Sequence, residues 1–134
     1  MNREDLKNTL RNEQSSEMQS LNSDFFPEVE KYILAIEEEI AKYQTPHSIE
    51  KKMLLDELNS ALTDIDIIFM RRIKKVTHLA TSAAFAQHQL SSPMQNLTAD
   101  EKELYELIYS AIKKMHSNII APIQDSFLTK TNTK

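Results

Sequence analysis

No glycine occurs anywhere in this 134-residue chain, and that absence excludes more folds than any motif present. Glycine supplies the positive φ of tight hairpin turns and the bare backbone of phosphate-cradling loops. Soluble proteins carry about 7% of it. Hairpin-rich β folds, Walker loops and dinucleotide fingerprints therefore find no support, whereas helices need no glycine at all. Hydrophobic residues at 40% and charged residues at 27% make a globular mixture, and the length suits one core of modest size. The expected fold class is all-α, a bundle of four to five helices.

Cysteine is absent too, which removes disulfides and thiolate metal sites. The four histidines, His47, His78, His88 and His116, do not recur at ligand spacing. No apolar run approaches the roughly 18 residues of a membrane span, and the N-terminus is charged rather than signal-like. The expectation is a cytoplasmic protein with no membrane contact, no cofactor and no metal.

Prolines at Pro27, Pro46, Pro93 and Pro122 punctuate the helical patterns. Residues 2–21 are polar, anchored mainly by Leu6, Leu10 and Leu21, and read as a helix that needs a partner or frays. Ser23-Asp24 before Pro27 and Glu28 marks a helix start, followed by a stripe of Val29, Ile33, Ile36 and Ile40 with Tyr32 and Tyr43 beside it. Ser48 caps a much longer helix, expected over about 48–90. Its apolar stripe is read as Met53, Leu54, Leu58, Leu62, Ile65, Phe69, Val76, Leu79 and Ala83. At 1.5 Å per residue it reaches roughly 60 Å, so a bend near Asn59-Ser60 is expected, and part of it should meet another chain. Residues 90–97 read as a loop. Thr98 and Glu101 form a capping box opening a helix with Leu104, Leu107, Ile108, Ala111, Ile112 and Met115 on one side. Pro122 ends or kinks that helix. The organisation expected is one helical domain over 1–128 and a disordered tail over 129–134.

Charge distribution gives the sharpest functional clue. The chain is acidic overall, with a formal charge of −4, yet no carboxylate lies between Asp66 and Asp100. Inside that interval sits Arg71-Arg72-Ile73-Lys74-Lys75, four of the 16 basic residues. On a helix Arg71, Lys74, Lys75 and His78 share a face, while Arg72 turns toward the apolar stripe. One reading is a solvated face with Arg72 snorkelling at the core edge. The favoured reading gives Arg72 a buried or interfacial carboxylate partner from the 28–39 helix or the 100–106 helix. Nucleic acid is a weaker candidate, because affinity scales with phosphate contacts and few are offered. At most weak direct DNA binding is expected. Catalysis has little support, since no Glu-x-x-His occurs and His78 lies among basic residues.

Three segments, in order, resemble the helical A domain of archaeal GINS subunits, of the type akin to the eukaryotic Sld5 and Psf1 subunits. They are Asp24-Phe25-Phe26-Pro27 with Tyr32-Ile33, then Arg71-Arg72-Ile73-Lys74-Lys75-Val76 with Leu79-Ala80, then Leu97-Thr98-Ala99-Asp100-Glu101 with Leu104-Tyr105. The resemblance covers about residues 20–116. It implies a non-enzymatic scaffold for DNA replication, a tetramer of helical domains formed with itself or with a paralogous GINS subunit. That assembly would bridge the MCM helicase to a RecJ/Cdc45-like protein, with primase or polymerase as further contacts, and would associate with the nucleoid during replication. Arg71, Arg72, Lys74 and Lys75 would then stabilise the bundle and the inter-subunit surface. Phe25 and Phe26, with Tyr32, Phe69, Leu104 and Tyr105, would anchor the helices. The family's small β-rich B domain is expected to be absent or truncated here. Two alternatives stand beside this reading: an unrelated helical adaptor with a coiled-coil surface, and a small nucleic-acid-binding module using the basic face.

Overall fold

The structure, a computed structural model, describes residues 1–86 and 94–132, with side chains described through residue 128. Among the described residues it is all-helical, with no strand. The helices are α1 (Arg3–Asn12), α2 (Phe25–Ala41), α3 (Ile49–Phe85), α4 (Ala99–Met115) and α5 (Ala121–Asn132). A 3₁₀ turn at Met94–Asn96 precedes α4, and a π-helical turn at His116–Ile120 separates α4 from α5.

Local chemistry explains most boundaries. Asn2 and Asp5 form a capping box at α1, with reciprocal backbone bonds of 2.9 and 3.0 Å. Asp24 stands at the cap of α2 without a capping side-chain bond, and Pro27 sits in the first turn, where its missing N–H costs nothing. Ser48 Oγ accepts the Lys51 N–H at 3.0 Å and so caps α3. Thr98 and Glu101 form the expected capping box on α4.

The chain divides into two compact units, Met1–Lys75 and Val76–Lys134, where one core had been expected. In the first unit Leu6 of α1, Phe25 and Val29 of α2, and Ala61 and Ile68 of α3 form the buried cluster. Leu10, Leu21, Tyr32, Ile33 and Ile65 pack around it. Each large member contributes about 1.5–3 kcal/mol by leaving water. Buried apolar residues of the second unit are Val76, Ala80, Ala84, Leu97 and Tyr105.

Several expectations are corrected. The polar N-terminal helix ends at Asn12 rather than running to residue 21. The buried stripe of α3 is Ala61, Asp64, Ile68, Arg72, Val76, Ala80 and Ala84, whereas Met53, Leu62 and Phe69 are exposed. The true stripe contains two charges and four small or medium side chains, so hydrophobicity alone selected its flanks. Helix α3 runs unbroken through Asn59-Ser60 to Phe85; Thr63 Oγ donates to the Asn59 carbonyl at 3.0 Å. On α4, Leu107 and Met115 are exposed while Glu101 and Tyr105 are buried. Pro122 lies in the first turn of α5, directly after the π turn, which closes with the Ala121 N–H donating to the His116 carbonyl. Helix α5 reaches Asn132, into the segment expected to be a disordered tail. Half of the expected 90–97 loop, residues 90–93, and residues 133–134 lie outside the described residues.

Candidate functional site: a buried ion cluster and an exposed helix surface

The basic segment divides into inward and outward parts. Arg72 is 1% exposed, and its Nη1 donates to Glu13 Oε1 at 2.6 Å and to the Gln19 carbonyl at 2.9 Å. Lys75 Nζ reaches the other oxygen of Glu13 at 2.9 Å. One buried carboxylate thus holds two cations of α3 across both its oxygens. The sequence reading sought the partner of Arg72 on 28–39 or 100–106; in the first unit it is Glu13, just beyond α1. A second charged contact lies alongside, from Lys7 Nζ to the buried Asp64 at 2.7 Å and to Ser60 Oγ at 3.2 Å. Burying charges costs several kcal/mol per ion unless each is paired and hydrogen-bonded. These pairs fix the register of α1 and the 13–24 connection against α3.

Arg71 is half-buried and Lys74 is exposed. The Arg71 Nε is buried without an acceptor among the described residues.

The expected aromatic anchors behave differently from one another. Phe25 is buried and Phe26 packs edge-on against it, centroids 5.0 Å apart, while remaining partly exposed. Tyr32 donates from its hydroxyl to Glu57 Oε1 at 2.6 Å. Burial first, and the Glu57 carboxylate second, push the Tyr32 phenol well above its ordinary pKa. In the second unit Leu104 is half-buried, and buried Tyr105 stacks on Tyr109 at 6.4 Å, with Lys113 Nζ 5.7 Å from the Tyr109 ring centre. Phe69 is no anchor: it is 57% exposed.

The surface of α3 carries further exposed apolar residues, Ile49, Met53, Leu55, Leu62 and Met70. Depressions among the described residues include two of moderate size. One of about 290 Å³ is lined by Asp5, Asp24 and Glu28 with Phe25; Asp5 already caps α1, Glu28 pairs with Lys31, and Asp24 accepts from the Ser23 hydroxyl at 3.2 Å. The other, about 490 Å³, is lined by Phe85, Lys113, His116 and Gln124 with Ala84 and Ala86. Neither joins a nucleophile to a base. Among the described residues no three His, Asp or Glu side chains are grouped to hold a metal ion, and no described helix is long and apolar enough to cross a membrane.

Glu13, Asp64 and Lys7 escaped the sequence reading. Asp64 carried a usable signal, because it lies four and eight residues before Ile68 and Arg72 on one face. Glu13 carried none, as it follows the last turn of α1 and pairs across 59 positions.

No known family model matches this chain. Comparison with curated proteins finds no relative of significant similarity.

Proposed function

We propose that this chain is a non-enzymatic scaffold subunit of a GINS-type replication complex, linking the MCM helicase to a RecJ/Cdc45-like protein within a helical tetramer. The observation that carries the reading furthest is the exposed apolar surface of α3. Leu55, Leu62 and Phe69, at steps of seven and all exposed, leave a helix side suited to covering by another protein. The three segments that carry the resemblance also support it by where they fall. Asp24 stands at the cap of α2, the basic segment lies within α3, and Thr98 caps α4. The nucleic-acid alternative weakens, because Arg72 and Lys75 are committed to Glu13 and few cations remain for phosphates.

The test is a bridging assay with the chain immobilised, supplied with MCM helicase and the RecJ/Cdc45-like protein from the same cells. Retention of both, and a helicase–RecJ link that depends on the chain, is the expected result. Retention of neither, with or without a paralogous subunit, would leave an unrelated helical adaptor as the better account.

A further inference from the structure

Two helix faces of the first unit carry opposite charge around exposed apolar residues. On α2, Phe26, Glu30, Leu34 and Glu37 follow one another at steps of four, four and three, so they share one side. All four are exposed, Leu34 at 49%. On α3, Ile67, Met70, Arg71 and Lys74 share a side by the same spacing, with Met70 at 45%. Among the described residues neither Glu30, Glu37, Arg71 nor Lys74 has an ion-pair partner, and none of the four has an unprinted contact of that kind. Solvated helix faces usually mix signs to gain pairs three or four residues apart. Elsewhere on α2 this chain does so, with Lys31–Glu28 at 3.4 Å and Lys42–Glu39 at 2.7 Å. The two faces in question segregate sign instead, one acidic and one basic.

We propose that the acidic face of α2 docks on the basic face of α3 in a second copy of this chain. Because one unit carries both faces, the contact can be made twice about a two-fold axis, which closes the pair and prevents open-ended growth. Met70 and Ile67 would meet Leu34 and Phe26, and the carboxylates of Glu30 and Glu37 would meet Arg71 and Lys74. The pairing rests on the scaffold reading only in supplying one interface of that assembly. A tetramer needs a second interface besides this one.

Charge reversal tests it. Arg71→Glu/Lys74→Glu makes both faces acidic, and Glu30→Lys/Glu37→Lys makes both basic. By light scattering the parent should show twice 15.5 kDa or a multiple of that, weakening as salt rises from about 50 to about 500 mM. Each variant alone should fall to half the parental mass, which is a single 15.5 kDa chain where the parent is a dimer. Their equimolar mixture should recover the parental association, which a merely misfolded variant could not do. A monomeric parent at every concentration, variants that keep the parental mass, or a mixture that stays at the variants' mass would each overturn the pairing. If the parent retains both replication partners while the variants keep its mass, the pairing fails and the scaffold reading stands. If the masses behave as expected but neither partner is retained, the reverse holds.

Discussion

Glu13 and Arg72, 59 residues apart in sequence, meet as a buried ion pair with 2.6 Å between Oε1 and Nη1. The pair joins the end of α1 to the middle of α3, and the same arginine holds the Gln19 carbonyl of the α1–α2 connection. Its value therefore lies as much in register as in energy. Removing either side chain breaks a buried pair: without Glu13 both Arg72 and Lys75 lose its carboxylate, and without Arg72 the carboxylate keeps only Lys75. Glu13→Ala and Arg72→Ala should each cost roughly 3–5 kcal/mol in urea unfolding. The double variant Glu13→Ala/Arg72→Met should cost less than their sum, since both members of the fully buried pair are gone and only Lys75 still loses its carboxylate. Single variants that unfold like the parent would remove this account of the cluster.

Two phenylalanines separate the observed core from the one hydrophobicity suggests. Phe25 is buried in the first unit's cluster and Phe69 is mostly exposed on α3. Phe25→Ala should cost about 3–5 kcal/mol, as large-to-small changes in cores do. Phe69→Ala should stay within about 0.5 kcal/mol, as surface changes do. Thermal unfolding of the two variants side by side decides it. Equal losses would mean that Phe69 is packed after all.

The contrast shows where the sequence was legible. Missing glycine announced the helical class, and proline and capping residues marked the helix starts at Pro27, Ser48 and Thr98. These signals are local, carried by bonds within three or four residues. The buried face of α3 was not legible, because Asp64 and Arg72 occupy it and Ala61, Ala80 and Ala84 give little hydrophobic contrast. A polar residue can sit on a core face only if a distant partner satisfies it, and nothing near Arg72 in sequence names Glu13. The candidate site followed the same rule. Spacing placed Arg71 and Lys74 together and turned Arg72 inward, but only the fold named Glu13 as its partner and withdrew Lys75 from the surface.

Thr98 offers a local test of the second unit. Its hydroxyl accepts the Glu101 N–H at 3.3 Å while Glu101 Oε1 accepts the Thr98 N–H at 2.9 Å. Thr98→Ala should destabilise by about 1 kcal/mol, the usual value of such a cap, and Thr98→Ser should restore most of it. Hydrogen exchange at the first turn of α4 reads the effect directly. Unchanged protection in Thr98→Ala would show that the turn is held by other contacts.

Tyr32 predicts an alkaline weakness. Burial and the 2.6 Å bond to Glu57 keep its phenol protonated well above the ordinary tyrosine range. In the unfolded chain the same group loses its proton near about pH 10. The folded state therefore binds more protons above that pH, and stability falls as pH rises. Below about pH 10 the contribution is fully present. Tyr32→Phe removes both the bond and the titration. At neutral pH it should cost about 1.5–3 kcal/mol, because the bond is made to a carboxylate. Between about pH 9 and about pH 11 its stability should decline less steeply than the parent's, so that the gap between them narrows. The two proteins differ at this one position, so the difference between the curves isolates Tyr32. Parallel curves across that range would show that the Tyr32–Glu57 bond is not maintained in solution.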